Sequence, residues 1–275
     1  MMKYTRTLAL SVLLTLAVLP LNSHAGTADA GDGFRIVDLK PAVNMDWRDD
    51  VARDGKGGWT DQGINDMRGV EVGTRKLIGI PFELIDPAAN DGKAVLSLRS
   101  RHLPEAPARV ELDVGATCRS ITFLHAAAWS RGRLGTYTVH YADGTRIDIP
   151  VRDGQEVDDW WQPRHGDAYR VALVIENLEH VQVGLYGYAW DNPHPDKPIR
   201  TLEIAGTQDG GQLILAAVTL SDKPADLPDP GEVRESGYAK VLPDEPSAYD
   251  EDAFIWIEGE AYAESNLPEH EPIGD

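Results

Sequence analysis

From Arg35 to Leu220 the sequence is a succession of short stretches that alternate apolar and polar residues, broken at short intervals by Asp-Gly and proline-bearing turns. A period of two sends every second side chain to one face, so such stretches are half-buried strands and a chain made of them is an antiparallel β structure. The sharpest piece runs from Gly135 to Val151. Tyr137, Val139 and Tyr141 alternate with polar residues, Asp143-Gly144 follows, and Ile147, Ile149 and Val151 alternate on the return. Asp-Gly between two such segments signals a hairpin with positive φ at both turn residues. The same reading places strands at 35–39, 77–85, 93–98, 108–114, 120–126, 135–141, 145–151, 169–175, 181–190, 199–205 and 212–219. Val, Ile, Thr and aromatic residues fill them, and Gly, Pro, Asn and Asp lie between. No stretch keeps a 3.6-residue apolar period with caps, so little helix is expected. The expected fold is all-β, a two-sheet sandwich.

The amino terminus has the make-up of a cleavable export signal. Lys3 and Arg6 precede an apolar run from Leu8 to Leu21, and Ser23-His24-Ala25 is a small-x-small cleavage site. Residues 1–25 are expected to be removed after Ala25, which makes the protein secreted or periplasmic. The apolar run is short for a membrane span and is broken by Pro20, and no later segment is apolar enough to cross a bilayer. With Cys118 as its one cysteine the chain has no internal disulfide; Val114, Ala116 and Ile121 nearby place that thiol in a strand as a small buried group. A formal net charge of −19 repels phosphates and argues against nucleic acid as a partner. Neutral glycans and divalent cations remain compatible with such a surface.

Three segments break the strand rhythm. Residues 40–76 form a long connection rich in Asp, Gly and Arg, but Trp47, Trp59, Ile64, Met67 and Val70 give it apolar anchors, so it is expected to be an ordered, packed loop. Residues 222–252 interleave Pro224, Pro228, Pro230, Pro243 and Pro246 with acids, the composition of an extended linker. Residues 253–275 open with the alternating Phe254-Ile-Trp-Ile-Glu-Gly-Glu-Ala-Tyr262, expected to begin a second, incomplete β unit. A lone strand has nothing to bury its face against, so it either docks on the sandwich or belongs to something larger; the second is favoured.

Several of these pieces in order carry a resemblance. Val37-Asp-Leu-Lys-Pro41, Gly58-Trp-Thr-Asp-Gln-Gly-Ile-Asn-Asp66, Gly79-Ile-Pro-Phe82, Phe123-Leu-His-Ala126, Tyr141-Ala-Asp-Gly-Thr145 and Ala189-Trp-Asp-Asn-Pro-His-Pro-Asp196 resemble the galactose-binding-domain-like jelly rolls. Those occur as non-catalytic modules of secreted bacterial carbohydrate-active enzymes. The resemblance covers residues 33–221. It implies a jelly roll of eight or more strands, a structural calcium and a glycan-binding edge. Ile255-Trp-Ile-Glu-Gly-Glu260 with Ser265-Asn266 is similar to openings of a second sandwich in such enzymes. The first expectation is therefore a secreted non-catalytic module that binds carbohydrate and holds a structural calcium; the alternatives are the amino-terminal portion of a glycoside hydrolase or polysaccharide lyase whose catalytic domain lies beyond Asp275, and a ligand-free spacer domain.

Candidate site residues fall into two groups. Asp61, Asn65 and Asp66 put hard oxygens on a glycine-containing turn, as calcium requires, although their spacing is not that of an EF-hand and each also suits a turn cap. The resemblance adds Glu203, in a late strand, as a further ligand. For a polysaccharide or oligosaccharide partner, Trp129 with Arg131, and Trp160 with Trp161, are off-strand aromatic residues beside polar ones; the alternative is that these rings fill the core. His125, at the end of an apolar strand, reads as a satisfied core residue or a further ligand-binding residue. The sequence has no Gly-x-Ser-x-Gly elbow, no His-Glu-x-x-His pair and no phosphate-cradling glycine loop, so no catalytic residue is named.

Overall fold

The computed structural model describes residues 26–229, apart from 57 and 209, together with the pair Tyr238–Ala239. Among them the protein is built of strands, with one 3-10 turn at Pro87–Ala89. In chain order the strands are β1 (Thr27–Gly31), β2 (Phe34–Val37), β3 (Gly73–Leu77), β4 (Ile80–Leu84), β5 (Leu96–Ser97), β6 (Arg109–Ala116) and β7 (Ser120–Ala128). They continue as β8 (Arg133–Tyr141), β9 (Arg146–Arg152), β10 (Tyr169–Glu176), β11 (Gln182–Asp191), β12 (Ile199–Gly206), β13 (Gln212–Ser221) and β14 (Tyr238–Ala239). The large sheet has the order β1-β2-β13-β7-β11-β10-β14, with β5 also on β13, and the small sheet the order β6-β12-β8-β9. All pairings are antiparallel except β10 with β14.

The two sheets face each other through the residues that the period-two pattern sends inward. On β7 these are Ile121, Phe123, His125 and Ala127; Phe123 stacks at 4.1 Å on Tyr137 of β8 in the facing sheet. Tyr137, Val139 and Tyr141 are all buried, with Leu202 and Ile204 of β12 opposite Val139 and Tyr137. β7 and β13, in the middle of the large sheet, are buried along their whole length, and that requires cover on their outer face as well. The cover is the segment before β6. Met45, Trp47, Trp59 and the β3–β4 hairpin lie on it, with the Thr219 hydroxyl bonded to the Pro81 carbonyl at 2.6 Å. Gln212 and Ser97 both donate to the Trp59 carbonyl, at 3.0 and 3.3 Å. The long first connection is therefore a packed layer, held down by the apolar anchors that its sequence carries.

Three details differ from the sequence reading. Residues 77–85 are a hairpin rather than one strand: Ile78 (φ 46°) and Gly79 (φ 82°) make a two-residue turn. Such mirror-image turns match the strand twist. A β-branched residue at positive φ is rare, which hid this turn; Ile78 then packs over Gly187, where no side chain stands in its way. The Asp143-Gly144 hairpin forms, but only Gly144 has positive φ (87°). Tyr141 and Thr145 close a three-residue loop through the Tyr141 N–H at 2.9 Å, a tight turn followed by a left-handed glycine. β1 begins at Thr27, ahead of the resemblance, in a stretch of Ala and Asp with weak strand preference.

The proline-rich segment is not free from its start. The Ser120 hydroxyl donates to the Lys223 carbonyl at 2.8 Å, the Ala225 N–H to Asp191 at 2.8 Å, and Arg170 to the Pro228 carbonyl at 2.7 Å. Residues 223–229 thus cross from β7 to β10 over a cleft lined by Phe34, Ile78, Thr122 and Leu227. The export signal at 1–25, the remaining linker to 252 apart from β14, and the second unit at 253–275 lie outside the described residues. No helix of the described residues is long and apolar enough to cross a membrane.

Candidate functional site

Two residues expected to touch a ligand are core residues, and that is a correction. His125 is fully buried between the sheets. Its Nε2 lies 3.1 Å from the Glu156 carbonyl, which can only accept, so Nε2 carries the proton and Nδ1 accepts from the Tyr137 hydroxyl at 2.8 Å. Burial holds its pKa down at about 3, against the pull of the Glu156 carbonyl, so the ring is neutral. Trp160 is buried edge-on against Trp59 at 5.5 Å, and Trp59 stacks on Trp47 at 5.8 Å. These three rings form the seam between the covering layer and the large sheet. Cys118 is likewise buried, its thiol pushed up to about 12 by desolvation, and is an inert packing residue.

The oxygens suggested for calcium are already engaged. Asp61 accepts the Asp54 and Gly55 N–H groups at 3.2 Å each, closing a turn. Asn65 accepts from Asn177 at 2.7 Å. The fully buried Asp66 carboxylate accepts the Asp49 N–H at 2.7 Å, and Arg68 clamps it with Nε at 3.0 Å and Nη2 at 2.7 Å. A guanidinium thus occupies the side of Asp66 where a cation would be expected. Glu203 lies on the other sheet, in β12, 3.5 Å from Arg109 and 3.7 Å from His140. The four residues are not brought together, and this donor set does not fit a calcium ion. Among the described residues no group of three or more His, Cys, Asp or Glu side chains is arranged to hold a metal.

What the structure does bring together is a rim at one end of the sandwich. Trp129, in the turn after β7, is only partly buried and has φ 51°. A bulky residue in the left-handed region is strained and persists only where its surroundings hold it. Its ring stacks on exposed His102 at 4.2 Å, from the loop between β5 and β6. His102 was not singled out by sequence, since nothing local distinguishes it. Arg101 donates to His102 Nε2 at 2.8 Å, so that nitrogen is unprotonated; partial burial, then Arg101, pull the His102 pKa down. Asp159 ties the rim together, accepting the Ser130 N–H at 3.3 Å and the Trp161 N–H at 3.1 Å. Burial raises its pKa despite these bonds. Trp161 is partly buried, edge-on to Trp160 at 5.8 Å, and Arg131 stands exposed beside Trp129. Gly211 completes the rim from the loop between β12 and β13: a Cβ there would meet the Trp129 carbonyl at 2.6 Å, so only glycine lets that loop lie against the turn.

Of the sequence-named ligand residues, Trp129, Arg131 and Trp161 therefore belong to one rim, while His125 and Trp160 lie beneath it. No family model matches this sequence, and no curated protein is significantly similar to it.

Proposed function

We propose that the protein is an exported, non-catalytic carbohydrate-binding module of the galactose-binding-like jelly-roll kind, which binds a polysaccharide or oligosaccharide at the Trp129 rim. The observation that carries this reading is Trp129 itself, held partly exposed at a strained φ of 51° and stacked on His102. The apolar C–H face of a pyranose ring packs on aromatic surface of the kind that the Trp129–His102 pair leaves exposed, and the Ser130, Arg131 and Trp161 groups around it supply hydrogen bonds and a second ring. Single sites of this type bind weakly, and tethering to a catalytic domain raises the effective concentration at the substrate. The docking of residues 223–229 on the large sheet favours a second role, that of holding a following glycosidase or lyase domain in a set direction.

Affinity-gel electrophoresis across a panel of soluble polysaccharides tests the binding reading. Trp129→Ala is expected to abolish retardation, Trp161→Ala to weaken it about tenfold, and both to keep the wild-type melting temperature within a few degrees. Retardation unaltered in Trp129→Ala would sink it.

A further inference from the structure

We infer that the Trp129 rim takes an acidic glycan, one whose sugars carry carboxylate or sulfate groups. This rests on the carbohydrate reading above and adds the charge of the ligand. The chain is strongly acidic, at −19, and its arginines have carboxylates to choose from. Several use them: Arg35 pairs with Asp222, Arg68 with Asp66, Arg152 with Glu156, Arg164 with Asp158, whereas Arg53, Arg119, Arg146, Arg170 and Arg200 stand singly with no such partner among the described residues. The two segments that meet at the Trp129–His102 stack gather four arginines that lack one. They carry Arg99, Arg101, Arg131 and, at the start of β8, Arg133, and none of the four has a carboxylate within ion-pair distance among the described residues; Arg99 donates to the Ala106 carbonyl and Arg133 to the Thr136 hydroxyl, which leaves Arg101 and Arg131 as the open pair. Like charges gathered on segments that touch repel one another, and an anion bound among them lowers that cost.

The donors are also placed for it. Arg101 spends its Nε on His102 and keeps its terminal nitrogens for other partners. Arg131 is exposed and makes no side-chain hydrogen bond among the described residues. A guanidinium fork matches the two oxygens of a carboxylate or sulfate, which a lysine does not. Three acids neighbour this patch, and one of them is paired. The Asp159 carboxylate is taken by the Ser130 and Trp161 N–H groups, Glu156 is taken by Arg152, and exposed Glu105 is the one acid of the Arg101 loop. The sugar ring would lie on the exposed part of the Trp129–His102 pair and the acidic substituents on Arg101 and Arg131.

Retardation in gels loaded with matched polymers separates the possibilities: polygalacturonate against fully methyl-esterified pectin, and a sulfated galactan against neutral agarose. The expected result is retardation by an acidic polymer and not by its neutral counterpart, with Arg101→Ala and Arg131→Ala each weakening it about tenfold and Trp129→Ala abolishing it. Which acidic polymer retards tells carboxylate from sulfate. Equal retardation by a neutral polymer, lost in Trp129→Ala but kept in both arginine variants, overturns the acidic ligand and leaves the carbohydrate reading standing. Acidic retardation that survives Trp129→Ala, or is matched by single-stranded DNA, is plain ion exchange and also overturns it. No retardation by any of the four overturns both.

Discussion

Asp66→Ala is expected to cost about 3–5 kcal/mol of stability, the usual loss when one partner of a buried ion pair is removed, and to lower Tm by roughly 10 °C. The carboxylate is fully buried, and three groups depend on it: the Asp49 N–H, the Arg68 N–H and the Arg68 guanidinium. Arg68 Nη2 also holds the Asp49 carbonyl at 2.6 Å, so the pair closes the loop that carries Trp47, Trp59 and Met67 onto the large sheet. Without Asp66 the partly buried Arg68 charge, its N–H and the buried Asp49 N–H lose their acceptor. Asp66→Asn keeps a single acceptor oxygen, enough for one of the two backbone N–H groups, and is expected to cost less than alanine. Urea denaturation of the three proteins, with and without a chelator, checks this. A loss under 1 kcal/mol for the alanine variant, or a chelator effect in the wild type as large as the mutation, would replace the arginine account with a bound cation.

Acid should destabilise the sandwich through His125. In the folded protein its pKa is about 3, whereas unfolded it returns to about 6.5. Above pH 6.5 the ring is neutral in both states and its contribution is complete. As pH falls below that value the unfolded chain binds a proton that the folded chain refuses, so stability falls by about 1.4 kcal/mol per pH unit. The loss reaches roughly 3 kcal/mol by pH 4 and is finished near the folded pKa. Asp66 and Asp159, both raised by burial, act in the opposite sense, since the folded state protonates them more readily as pH falls. They are unchanged by a mutation at position 125, so the difference between His125→Gln and wild type isolates the histidine. Glutamine can donate to the Glu156 carbonyl and accept from the Tyr137 hydroxyl, at a cost of about 1–2 kcal/mol at pH 7. The variant's stability between pH 6.5 and 4 should then decline about one proton less steeply. Parallel pH profiles would show that His125 is not the buried neutral group described.

Much of the fold was legible because strand alternation is a local property. The inward set of the small sheet, Tyr137, Val139 and Tyr141, could be read directly from its spacing, and all three are buried. The long first connection could be read as packed from its apolar anchors, because Trp47, Trp59 and Met67 have nowhere else to go. The Ile78-Gly79 turn could not, since a β-branched residue in the left-handed region contradicts its own preference and is held there by the layer around it. The docking of residues 223–229 was also hidden: proline-rich acidic composition describes an extended chain, not whether a sheet beneath offers hydroxyls and carboxylates to its backbone.

The candidate site divides the same way. Trp160 and Trp161 are neighbours with the same local chemistry, yet one closes a core seam and the other reaches the rim, because adjacent residues of an extended segment point to opposite faces. Asp61, Asn65 and Asp66 have the chemistry of cation ligands, but Arg68, Asn177 and backbone N–H groups reach them first. What the sequence by itself determined is the all-β character and which side chains of each strand can share a face, since both follow from a two-residue period that every strand obeys alone. Which rings and charges meet at the rim was decided only by the tertiary structure, because Trp129, His102 and Asp159 come from separate loops whose neighbours are set by how the sheets close.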